Sequence, residues 1–71
     1  MSAVVLWFRD SLETETVEGN LVDLANNLNI AAANGKQFAI FDGADGDAVL
    51  VDTRSIIKAR EQRIEDAFVR G

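Results

Sequence analysis

Seventy-one residues with twelve acids, seven bases and no histidine carry a net charge of −5. That balance counts against nucleic acid as a partner, because affinity there comes chiefly from Lys and Arg neutralising phosphates. Cysteine is absent too, so disulfides and thiolate metal sites are excluded, and the missing histidine removes the commonest general base and transition-metal ligand.

The first run, "AVVLWFR" (3–9), is β-branched and aromatic and reads as a strand. Val5 and Trp7 alternate with Val4, Leu6 and Phe8. Both faces are therefore apolar, as in a strand at the centre of a sheet and covered on both sides. The next ten residues, "DSLETETVEG", are acidic and almost free of hydrophobes, and read as a solvated loop.

A helix signal follows in "NLVDLANNLNIAAANG" (20–35). Asn20 is placed to cap it, Asp23 puts an acid where the helix dipole favours one, and Gly35 suits the position just past the end. Leu21, Leu24, Ala25, Leu28 and Ala32 form one apolar stripe, and Asn26, Asn27 and Asn29 occupy the other faces. Asparagine is a poor helix former, so packing rather than propensity must hold this helix.

"KQFAIF" (36–41) and "AVLV" (48–51) read as two strands joined by "DGADGD", a connection of hairpin length. That loop raises the question of calcium. An EF-hand loop wants oxygen ligands at positions 1, 3 and 5 and glycine at 6. Counting from Asp42 puts Ala44 at 3 and Gly46 at 5, and counting from Asp45 puts Val49 at 5. Both registers fail. Aspartate and glycine are also the residues that suit tight turns, so the stretch reads as a turn.

The last segment admits two readings. Propensity makes Lys58–Phe68 one helix, with Ile57, Ile64 and Phe68 on a stripe. The alternative bends the chain at 52–55, resumes a strand through "IIKARE" (56–61), and leaves a short helix from Gln62 to Val69.

Residues 24–61 resemble small non-structural accessory proteins of actinobacterial phages. The shared layout is a short helix ending in glycine ("AAANGK"), a strand ("QFAIF"), an acidic glycine turn, a second strand ("AVLV"), a polar bend ("DTRS") and a closing "IIKARE". The resemblance favours the strand reading of residues 56–61, which is adopted here. It implies a protein that binds a host or phage protein or assembles with itself. No functional residue carries over, because the matching positions are structural.

The expectation is one α+β domain over 1–71. A small antiparallel sheet of three to four strands packs on one main helix in the order β-α-β-β-(β)-α. With neither His, Cys nor Tyr, and no nucleophile elbow or phosphate loop, a non-enzymatic protein without cofactor or metal is expected. No apolar run approaches the 18 or so residues needed to span a bilayer, and the opening lacks the basic region of a signal peptide. A cytoplasmic protein is therefore expected, in the host cell if phage-encoded.

A chain this short sits near the lower limit for folding alone, so a homo-oligomer is the expected source of extra burial. The candidate surface for self-association or a partner comprises Val5, Trp7, Ile57, Ile64 and Phe68 with Arg54, Lys58, Arg60 and Arg63. Charge polarity supports it: residues 1–53 hold nine acids against two bases, whereas 54–71 hold five bases against three acids. Two alternatives remain: a nucleic-acid module using that basic segment, and an oligomer that sequesters a small anionic ligand.

Overall fold

The β-branched run at the start of the chain forms β1 (Ser2–Phe8) at the centre of a three-stranded antiparallel sheet, in a computed structural model that describes residues 2–63. β2 (Thr14–Glu18) pairs along one side of it and β5 (Ile56–Arg63) along the other. Between them in the chain lie α1 (Leu21–Ala33), β3 (Phe38–Asp42) and β4 (Ala48–Asp52), the last two forming a separate antiparallel hairpin. The domain is therefore α+β with antiparallel sheets and one helix among the described residues, in the order β-β-α-β-β-β.

Three expectations are corrected here. The single sheet of three to four strands is, among the described residues, two sheets with five strands. They touch through a bridge between Val17 and Gly43 and a hydrogen bond from the Ala44 N–H to the Thr16 carbonyl. The expected loop at residues 10–19 contains β2. Its sequence, "TETVE", is polar, yet three of its five residues are β-branched, which suits a pleated surface. β1 supplies the partner, and only Val17 of β2 is buried. The helix expected from Gln62 does not start there, because β5 continues through Gln62 and Arg63 opposite Ala3 and Ser2. Ladder hydrogen bonds offered by β1 satisfy those backbone groups and override local helix propensity. The rest of that expected helix lies outside the described residues.

The core is small. Val4, Leu6, Val17, Leu24 and Val51 are buried together, with Phe8, Leu28, Phe41, Val49, Ile56 and Ala59 partly buried around them. Val4, Leu6 and Val17 are the largest side chains fully out of water, each contributing roughly 1.5–3 kcal/mol of apolar transfer.

α1 meets this core through a face rotated from the expected stripe. Leu24 and Ala31 are buried and Leu28 is half-buried, whereas Ala25 and Ala32 are exposed. Residues 24, 28 and 31 keep the spacing of one helix face, which meets both β3 of the hairpin and β5 of the three-stranded sheet. Both ends are capped as the sequence indicates. The Asn20 side chain accepts from the Asp23 N–H at 2.8 Å. At the other end the Gly35 N–H donates to the Ala32 carbonyl and the Lys36 N–H to the Ala31 carbonyl, the paired bonds of a Schellman motif. Gly35 sits at φ +70°, where a side chain would be strained.

The acidic stretch is a turn held by its own groups. Asp45 Oδ1 accepts from the Asp47 N–H at 3.0 Å, and the Gly43 N–H donates to the Asp47 carbonyl at 2.7 Å. Among the described residues no helix is long and apolar enough to cross a membrane.

Candidate functional site

Strand alternation sorts the expected surface residues onto the outer face of the three-stranded sheet. Val4, Leu6 and Phe8 turn to the core, so Val5 and Trp7 turn away and are half-buried. Lys58 lies opposite Trp7 and Arg60 opposite Val5, and the Lys58 Nζ stands 4.7 Å from the centroid of the Trp7 ring. That is a cation–π contact, and it covers part of the indole. Thr14 and Thr16 of β2 complete this face beside Trp7 and Val5.

The remaining expected residues are scattered. The register shifts between Trp7 and Phe8, which pair with Lys58 and Ile56, so Ile57 is the extra residue of a β-bulge and is exposed. Arg54 lies on the bend after β4, exposed, with its N–H donating to Asp52 Oδ1 at 3.0 Å. Arg63 ends β5 opposite Ser2. Ile64 and Phe68 lie outside the described residues.

A second and more apolar surface was missed by sequence reasoning. The inner face of the hairpin carries Phe41, Val49 and Val51, which pack on the core. Its outer face carries Phe38, Ile40 and Leu50, which are 52%, 71% and 64% exposed. Ile40 and Leu50 are direct cross-strand partners. Ile30, on the C-terminal half of α1, is 58% exposed and joins them around a groove of about 420 Å³. Asn27, Ala31, Asn34, Lys36 and Ala39 complete its wall. The available signal was the run "FAIF" itself, where apolar residues occupy both faces of a strand with only one helix to cover them.

Charge frames this face. Lys36 lies on the groove rim, while Asp42 and Asp52 share the outer-face alternation with Ile40 and Leu50. Asp52 also organises the bend: its carboxylate accepts from the Arg54 N–H, from Ser55 Oγ at 3.1 Å and from Gln37 Nε2 at 3.4 Å. The Arg54 backbone bond is the largest cause holding its pKa below the usual carboxylate value; partial desolvation opposes it, and the Ser55 and Gln37 bonds assist. Among the described residues no three acidic groups converge in a way that could hold a metal ion. The groove is shaped for apolar contact.

Comparison with known proteins adds no relative: no family model matches the chain, and neither a curated protein nor a solved structure is significantly similar to it.

Proposed function

We propose that this protein is a small non-enzymatic cytoplasmic module, phage-encoded as the resemblance of residues 24–61 implies, that works by self-assembly and protein–protein binding. One observation carries the reading: Ile30, Phe38, Ile40 and Leu50 stand exposed around a single groove. Contiguous apolar surface of this kind on a small domain usually marks an interface. The domain also has reason to associate, since among the described residues the buried cluster consists of Val4, Leu6, Val17, Leu24 and Val51 and short chains commonly complete their burial with a partner. In this reading the exposed apolar residues of the hairpin and helix form the contact, beside or in place of the expected surface at Val5 and Trp7.

Native mass spectrometry at low micromolar concentration tests it. The expected result is a multiple of 7.7 kDa that Ile40→Asp converts to a single chain. A lone 7.7 kDa species, unchanged on roughly tenfold concentration, would reject self-assembly by mass action.

A second reading, a module for nucleic acid or another anion, is favoured by Trp7, Lys58 and Arg60 sharing the outer sheet face. The net charge of −5 opposes it. A steep fall in oligonucleotide affinity with salt would support that reading, and a flat response would dismiss it.

A further inference from the structure

Resting on the protein–protein binding proposed above, we infer that the groove between α1 and the hairpin takes an amphipathic helix from another protein, with its basic end against the turn at residues 42–47. Shape and area come first. At about 200 Å² for a large apolar side chain, the exposed parts of Ile30, Phe38, Ile40 and Leu50 offer on the order of 400 Å². A complex buries about twice that, the range of weak and transient contacts, which suits the docking of a single segment. β3, five residues long, spans about 17 Å at roughly 3.3 Å per residue. A helix of about 12 residues matches that length, and apolar anchors at i, i+3, i+4 and i+7 give it one stripe to lay along the groove. A helix also brings no unpaired backbone groups to an apolar surface.

Charge decides the chemistry of the partner. Residues 36–54 hold four acids against two bases, and the two signs are not evenly spread. At the turn end Asp42 closes β3, and Asp45 and Asp47 follow within the turn, all three exposed. β2, hydrogen-bonded to the turn through the Ala44 N–H, adds Glu15 and Glu18 and no base. At the opposite end Asp52 lies across from Phe38, but Lys36 on the groove rim and Arg54 on the bend offset it. The C-terminus of α1 opens there as well. Asn34, its C-cap, lines the groove, and the last turn carries no basic residue, so the partial negative charge of the helix end opposes that of Lys36. The turn end is therefore the acidic one, and complementary potential across an interface favours a partner with Lys or Arg at that end.

Fluorescence anisotropy with labelled synthetic peptides tests it. The probe is a peptide of about 12 residues with leucines at i, i+3, i+4 and i+7 and lysines at its C-terminal end. A second peptide carries glutamates in place of the lysines, and a third is a scramble of the first. At low salt the full chain is expected to bind the lysine peptide at least about tenfold more tightly than either control. Ile40→Ser should weaken that binding at least about tenfold, and Asp42→Lys about fivefold. Glu13→Lys, the same reversal between β1 and β2, should change it by less than about twofold. All three variants alter exposed side chains, and far-UV circular dichroism verifies that they fold. Equal affinity for the lysine peptide and either control, an unchanged affinity in Ile40→Ser, or an equal loss in Glu13→Lys overturns the inference. So does a lysine peptide left unbound at about 100 μM. Native mass spectrometry reads self-assembly independently. An oligomeric parent that ignores the peptide overturns this inference and upholds self-assembly, and a monomeric parent that binds it does the reverse. A monomer that binds nothing overturns both.

Discussion

The backbone N–H of Leu21 donates to the Glu61 carboxylate at 2.8 Å, joining residues forty positions apart in sequence. Leu21 opens α1 and Glu61 lies near the end of β5, so the sheet supplies a cap for a helix N–H that has no partner within its own helix. The negative charge also stands at the positive end of the helix dipole. Glu61→Ala is expected to lower stability by about 1 kcal/mol, with Glu61→Gln losing less because it keeps an acceptor. Thermal melts of the two variants check this; an alanine variant as stable as the parent would show that the contact contributes nothing.

Truncations along α1 should follow the observed face rather than the stripe read from spacing. Leu24→Ala is expected to cost roughly 2–5 kcal/mol as a core truncation, Leu28→Ala less because that side chain is only half-buried, and Ala32→Ser within about 0.5 kcal/mol. Asn20→Ala should cost about 1 kcal/mol through loss of the cap. Urea denaturation ranks them, and Ala32→Ser proving costlier than Leu28→Ala would refute the orientation of the helix.

Gly43 is the glycine where space decides. A Cβ there would lie 2.9 Å from Asp45 Oδ1, 2.9 Å from the Asp47 carbonyl oxygen and 3.1 Å from Val49 Cγ2. One of these is backbone, so the hairpin must open to admit a methyl group. Gly43→Ala is expected to destabilise by about 1–3 kcal/mol, the usual range for overpacking. A variant with unchanged melting temperature would mean that the turn yields freely.

The bend after β4 should impart an acid-sensitive contribution. Hydrogen bonds to Asp52 from Arg54, Ser55 and Gln37 hold its folded pKa below the ordinary carboxylate value. The unfolded chain therefore takes up this proton first as pH falls. Its contribution to stability is present above the unfolded pKa and disappears as pH drops through the folded one. Comparing parent with Asp52→Asn between about pH 6 and about pH 3, the stability difference should narrow on acidification. A difference that stays constant across the range would show that the contribution is not electrostatic.

The features legible in the sequence are those whose cause is local. β1 follows from a β-branched and aromatic run. Asn20 and Gly35 mark the ends of α1 because a side-chain acceptor and a positive φ are needed at those two points. The Asp45–Asp47 turn is built from groups two residues apart. Each of these needs little more than the chemistry of a few neighbouring residues.

Tertiary structure decided the rest. "TETVE" is a strand because β1 offers it a ladder, and Gln62 and Arg63 extend β5 for the same reason. The candidate surface shows the difference most sharply. Phe38 and Phe41 are the same residue type three positions apart on one strand, yet Phe41 packs on the core while Phe38 faces outward with Ile40 and Leu50. Alternation along a strand assigns residues to two faces without saying which is covered. That choice depended on where α1 and the three-stranded sheet come to rest, because an apolar side chain is removed from water only when another element lies against it.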